Sequence, residues 1–429
     1  MTWLQRHRIR HYLRNSIWIL PSLGAVAAMV MVRLLHWFEL ARGWESDLDP
    51  GAAQVVLGAM ASSMFTFIIF LSSALLIAVQ LASAQLTPRI ITFIFRNPVM
   101  KFSLTVFVFT FSFSLAVLVR IKTSVPALIV YIAAYGFLAS LVVFLYLIDH
   151  LGKALRPSGA LNYVGKQGRE VIESVYPRPF TDSREAPQEL VNALGKKPTR
   201  TIASPRDGVI LAVDILGLGI LAQRADCIIE LVPQVGDFVG AGASLFRLYH
   251  DGATLPAEEL CSAVALGQER TMEQDPTFAF RIIVDIASKG LSPAINDPTT
   301  AVLAIDQIHY LLRNVGSRDL DEGVVRDSAG QVRVVYMTPG WEDFVHLAIA
   351  EIRQYGATSI QIVRRLRAML EDLLQTLPDE RTVLIRQELN ALRKTAEHSF
   401  PEPEDRVLAD VSDFQGVGGR YRHSESHMG

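Results

Sequence analysis

Eight polar residues crowded into one short stretch could do chemistry: Arg270, Glu273, Asp275, Arg281, Asp285, Ser292, Asn296 and Asp297. Three uses are open to them. They can lock one another in a buried ion-pair network, they can bind a small ligand or ion at helix N-termini, or they can catalyse. Hydrolysis needs a nucleophile held by a base, or paired carboxylates with a metal-ligand pattern. Ser292 has no evident histidine partner and no metal-ligand spacing surrounds the set, so neither a metal nor a cofactor is expected. An enzyme is a reading that rests on the Asp, Arg and Asn side chains alone.

The elements that must hold these residues can be read locally. Asp275-Pro276-Thr277 and Asp297-Pro298-Thr299 are matching helix starts, each with an N-cap carboxylate and a proline at the first helical position, and Gly290 is a C-terminal stop. Apolar positions at helical spacing, Phe280, Ile283, Val284 and Ala287 on the first helix and Val302, Ile305, Ile308 and Leu312 on the second, supply complementary faces. The loop between them, GLSPAINDPTTA at 290–301, therefore has a structural reason for its Asp and Pro whatever else it does.

Composition sets these helices in a membrane protein. Half of the 429 residues are hydrophobic, and residues 1–150 hold eleven basic against five acidic side chains while the remainder hold 30 against 38. No concentrated positive surface for a nucleic-acid partner is expected. Two cysteines, Cys227 and Cys261, are too few for a disulfide framework. Apolar segments at about 16–37, 52–81, 102–121 and 125–148 are each long enough to cross a bilayer. The arm before the first span carries Arg6, Arg8, Arg10 and Arg14, and the 82–101 connection carries Arg89, Arg96 and Lys101, whereas the 36–51 connection is acidic. The positive-inside rule then puts both termini in the cytoplasm of a bacterial inner-membrane protein.

The second span reads as helix without interruption from Ala52 to Gln85, longer than a bilayer is thick. Thr66, Ser73, Gln80 and Thr87 recur on it every seventh residue, with Ser62 and Ser83 alongside. Such a stripe must meet other helices or water. It serves either packing or a solute path in a homo-oligomer.

Beyond residue 150 the expected order is a connector (151–200), a small β module (201–252), a mainly helical part (253–400) with a hairpin near 323–337, and a poorly ordered tail (401–429). The fold class is thus an α+β membrane protein. SPRDGVILAVD with VGDFVGAGASLFRL resembles the strand pattern of biotinyl and lipoyl-like barrel-sandwich domains, but no lysine lies between Thr201 and Tyr249 to carry a swinging arm. GLGILA at 217–222 matches a dinucleotide-binding pattern, yet too few residues precede the next strand for a crossover helix. Arg364, Arg365 and Arg367 read as a solvated face.

Three motifs together carry a family resemblance: SAQLTPR at 83–89, ERTMEQD at 269–275 and DIASKGLSPAINDPTTA at 285–301. With them the chain resembles a family of predicted bacterial multi-pass membrane proteins known as a domain of unknown function. The resemblance implies the topology and a bacterial inner membrane; it brings no catalytic residues. The function expected is a homo-oligomeric, channel-like or transport-related assembly that passes a small ion or solute under a cytoplasmic regulatory domain. The alternative is a membrane-anchored ligand sensor or scaffold.

Overall fold

The computed structural model describes residues 3–42, 48–91, 97–121, 125, 127–154, 156–181, 197–320 and 323–419. Arg96 and residues 43–47 of the acidic 36–51 connection, used above to read the loops, lie outside the described residues. The chain divides into two compact units, Ile9–Ala160 and a second built from Met1–Arg8 with Leu161–Gly429.

The first unit is helical: most of α1 (Trp3–Asn15), then α2 (Ile19–Arg42), α3 (Pro50–Leu81), α4 (Pro98–Leu118) and α5 (Ala127–Ala154). The segments Ile19–Glu39, Pro50–Leu86, Pro98–Leu118 and Ala127–Lys153 are long and apolar enough to cross a membrane. Their starts are fixed by local chemistry. Asp49 accepts the Ala52 N–H at 2.7 Å ahead of Pro50, and Asn97 accepts the Val99 N–H at 2.9 Å ahead of Pro98.

Small polar residues do the close packing on α4. Ser103, Thr110 and Ser114 are buried, and the Thr110 hydroxyl lies 3.0 Å from that of Ser140 on α5. α3 instead buries Ala53, Leu57, Ala61, Met64, Leu71 and Ala78. Two details depart from expectation. The last turn of the long helix, Ala82–Leu86, widens to a π-helix before Thr87 turns extended (φ −158°), so the helix is not uniform to Gln85. α2 also runs on to Arg42, which makes Glu39 a buried helix residue whose carboxylate accepts the Leu128 N–H at the start of α5, 3.1 Å away.

The second unit is mixed α and β. α6 (Pro157–Val175) leads to β1 (Arg200–Ala203), β2 (Gly208–Val213), α7 (Ile215–Arg224), β3 (Cys227–Leu231), β4 (Phe238–Val239), β5 (Ser244–His250), α8 (Ala257–Cys261) and β6 (Val264–Gly267). There follow α9 (Pro276–Gly290), α10 (Pro298–Gly316), β7 (Val324–Arg326), β8 (Val332–Tyr336), α11 (Trp341–Tyr355), α12 (Ile360–Thr376), α13 (Asp379–Ser399) and α14 (Pro403–Ala409). The strands form a five-stranded sheet, β1-β5-β3-β8-β7, and a three-stranded sheet, β4-β2-β6. β8 runs parallel to β3; the other pairs are antiparallel. Residues of both sheets, among them Ile210, Val213, Ile229, Phe246, Leu248 and Val334, share one buried core with Leu218 of α7. The sheets therefore extend beyond residue 252, taking in β6 and the 324–336 hairpin.

The helices of this unit bury the faces that their spacing predicts. Phe280, Ile283, Val284 and Ala287 of α9 and Ile305 and Leu312 of α10 are fully buried, with Val302 and Ile308 nearly so. α6 approaches this layer through glycine: a methyl group at Gly168 would sit 2.7 Å from the Ala279 Cβ, so any larger residue would push α6 off α9.

Three expectations are corrected. GLGILA is neither a phosphate turn nor a bare connection but lies within α7, and it links strands of two different sheets, so no βαβ unit exists there. Arg364, Arg365 and Arg367 are not a solvated face; they are 1%, 6% and 8% exposed. The segment past Pro401 is ordered as far as residue 419, because it forms α14 and then supplies backbone carbonyls to Arg364.

Candidate functional site

The eight polar residues do not converge. α9 is 15 residues long, about 22 Å, and it holds the start of the set at one end and the finish at the other. Three separate groupings result.

At the far end, Ser292, Asn296 and Asp297 satisfy one another's turn. The Ser292 carbonyl accepts the Ile295 and Asn296 N–H groups at 3.1 and 2.8 Å, and the Asp297 N–H returns to the Gly290 carbonyl at 2.7 Å. Asp297 accepts the Thr300 N–H at 3.1 Å and so caps α10. Gly290 eases the close return, since a methyl group there would lie 3.1 Å from the Asp297 carbonyl oxygen, a tight contact that the loop would have to relax. Asn296 is left-handed (φ 48°), a conformation that Asn tolerates and β-branched residues do not. Asn296→Gly is therefore expected to leave the melting temperature nearly unchanged, whereas Asn296→Val lowers stability by about 1–2 kcal/mol; equal effects in thermal unfolding would contradict this account of the loop.

Mid-helix, Arg281 donates to Asp285 one turn on (2.7 Å) and, through both terminal nitrogens, to Glu351 of α11 (2.5 and 2.8 Å). The paired bonds to Glu351 raise the guanidinium pKa further above its ordinary value and pin α9 to α11.

At the start of α9, Asp275 is 3% exposed. It caps the helix through the Phe278 N–H at 3.2 Å, accepts the Thr277 hydroxyl and pairs with Arg270. Arg270 also donates to Thr277 at 3.1 Å and lies over the Phe278 ring. Next to Asp275, Gln274 makes a two-way pairing with the Val213 backbone, accepting at 2.9 Å and donating at 3.3 Å. This junction forms one side of a cavity of about 530 Å³, whose other lining residues come from the end of α6, the start of α7, the ends of β3 and β8 with the residues that follow them, and Trp3. Glu273 stands on its rim, 3.4 Å from the His7 Nε2.

His7 and Trp3 were not singled out from the sequence. They stack on each other with ring centroids 5.1 Å apart, and Trp3 packs on Leu211, Ala212 and Ala265. The signal was available: Trp3 and His7 are one helical turn apart, on one face of α1. A second unanticipated cluster joins α10 to α12. His309 Nε2 lies 2.7 Å from Asp372, and Arg365 donates to Asp306 at 2.7 Å. Burial holds the His309 pKa below the usual imidazole value against the pull of Asp372. Both cysteines are free, and burial pushes the Cys227 thiol up to about 11, which keeps it un-ionised and unreactive at neutral pH.

The proposed span stripe lies on one side of α3. Ser62, Thr66, Ser73 and Gln80 are exposed in the single chain, Ser83 is half-buried in the π turn, and Thr87 is buried and caps the following turn through the Arg89 N–H at 3.4 Å. The Thr66 hydroxyl donates to the Ser62 carbonyl at 3.0 Å, and among the described residues Gln80 makes no hydrogen bond through its amide.

Comparison with known proteins places the chain among predicted membrane proteins. The chain is similar to uncharacterized proteins of Mycobacterium bovis and Mycobacterium tuberculosis, 26% identical over 422 residues, which cover 94% of this chain and 80% of each relative. No solved structure matches it. A family model described as predicted membrane protein, DUF2254, matches residues 14–372, and the chain belongs to that family.

Proposed function

We propose that this protein is a homo-oligomeric, channel-like or transport-related assembly of the bacterial inner membrane, in which α3 lines a path for a small ion or solute and the second unit regulates it from the cytoplasm. The observation that carries the reading is the outward stripe on α3. Inside the bundle α3 packs through Ala53, Leu57, Ala61, Met64, Leu71 and Ala78, so Ser62, Ser73 and Gln80 are left exposed in the single chain. A glutamine amide facing acyl chains costs several kcal/mol. A second copy or a water-filled axis removes that cost.

The topology is supported by parity. An even number of crossings returns the chain to the side it left, which lets Trp3–Arg8 join the same unit as residues after 161. The arginine-rich arm supports the cytoplasm as that side. The two sheets around one core also support the barrel-sandwich-like reading of the β module. The sensor or scaffold alternative draws on one observation, the cavity at the start of α9, which needs no conduction path.

The test is labelling and flux in liposomes. In a background of Cys227→Ala and Cys261→Ser, Ser73→Cys is expected to react with a membrane-impermeant cationic thiol reagent and to lose most of its ion flux on reaction. Full-length wild-type protein that conducts no better than empty vesicles at any voltage overturns the proposal.

A further inference from the structure

The cavity at the start of α9 is built like a receptor for an organic cation. Its size, about 530 Å³, falls among those that hold small molecules. Trp3 and Tyr336 are among its lining residues together with the acidic residues Asp214, Glu273 and Asp275, while Tyr176, also in the lining, is buried with its ring against Phe344. Among the described residues, no lysine or arginine lines it. Arg270 pairs with Asp275, so the negative charge that remains belongs to Asp214, at the N-cap of α7, and to Glu273.

Each property selects against other ligands. An anion would face these carboxylates across a partly apolar space with no cation in the wall to offset them. A bare metal ion needs several ligands converging at bond distance, and among the described residues no three of His, Cys, Asp or Glu stand close enough to hold one. An ammonium ion on an apolar body needs neither: it spreads its charge over ring faces and carboxylates while its body covers apolar wall. We propose that this cavity binds a small organic ammonium ion, with Glu273 as its counter-charge and Trp3 as an aromatic wall.

Glu273 is already 3.4 Å from His7, and His7 stacks on Trp3. An incoming ammonium competes with His7 for the same carboxylate. Binding thus loosens the Trp3–His7 stack from Glu273, and α1, the helix that leads to the first apolar span, registers occupancy at its first turn. The binding claim stands apart from the conduction reading, because it concerns affinity and not flux.

The experiment uses the full-length protein in detergent and three isosteres of different charge: protonated 2-phenylethylamine, neutral 2-phenylethanol and anionic phenylacetate. Calorimetric titration is expected to show the amine binding about tenfold tighter than the alcohol, with the acetate weakest. Glu273→Gln removes the counter-charge at nearly constant volume, unchanged binding of the neutral alcohol shows that the cavity is intact, and the amine and alcohol should then bind within about twofold of each other. Trp3→Ala should weaken both neutral and cationic probes alike. If wild type binds none of the three, or binds all three equally, the proposal fails; it fails equally if the preference for the amine survives Glu273→Gln. Channel activity in liposomes enters none of these outcomes.

Discussion

Arg364→Ala is expected to lower the unfolding free energy by about 4 kcal/mol and to free the segment that follows α14. The guanidinium is 1% exposed, and its three nitrogens donate to the carbonyls of Val411 (2.9 Å), Gly418 (3.0 Å) and Gly419 (2.6 Å). Truncation deletes three charge-assisted bonds and leaves three carbonyls facing a void. Asp413, 2% exposed, holds the other side of this loop by accepting the Gly416 and Gly418 N–H groups at 2.9 and 2.6 Å, and it loses its frame as well. Arg364→Lys keeps the charge but cannot span three separated acceptors, so it should recover less than half of the loss. The measurement is thermal unfolding together with chymotrypsin cleavage after Phe414, inside the freed segment, faster in the variant than in the wild type. Unchanged melting and cleavage would show that the segment is held by something else.

The second large effect compares two chemically identical helix starts. Asp275 and Asp297 both precede Pro-Thr and both cap their helices, yet Asp275→Ala is expected to cost about 3 kcal/mol and Asp297→Ala only about 1 kcal/mol. The difference lies in surroundings. Asp275 is buried and paired with Arg270, whereas Asp297 is half-buried and serves its own turn and Thr300. Asp275→Asn should fall between, since the amide can still accept the Phe278 N–H while the ion pair is gone. Arg270, about one third exposed, regains part of its solvation in the variant, which is why the cost is not larger. Equal losses at the two positions in denaturant unfolding would mean that the Arg270 pair contributes nothing.

What the sequence disclosed and what it concealed follow one rule. The Asp-Pro-Thr starts, the apolar faces of α9 and α10 and the four long apolar segments depend on neighbours within a few residues, and all are found where the pattern puts them. The burial of Arg364, Arg365 and Arg367 depends on carbonyls and carboxylates about 40 to 60 residues away. Three arginines in four residues look solvated until those partners are in place. The polar set at 270–297 misled in the opposite way, because closeness along the chain was mistaken for closeness in space across a helix some 22 Å long. His7 and Trp3 escaped notice since their contacts, Glu273 and Leu211, lie more than 200 residues away.

The unit that contains residues 161–429 also claims Trp3–Arg8. The ribosome therefore releases the first piece of this unit before any of the four apolar helices and must deliver some 260 further residues before β6, against which that piece rests, emerges. Until then the Trp3–Arg8 turn has no surface to rest on, and it can dock only after all four apolar helices and the strands that receive it have been made.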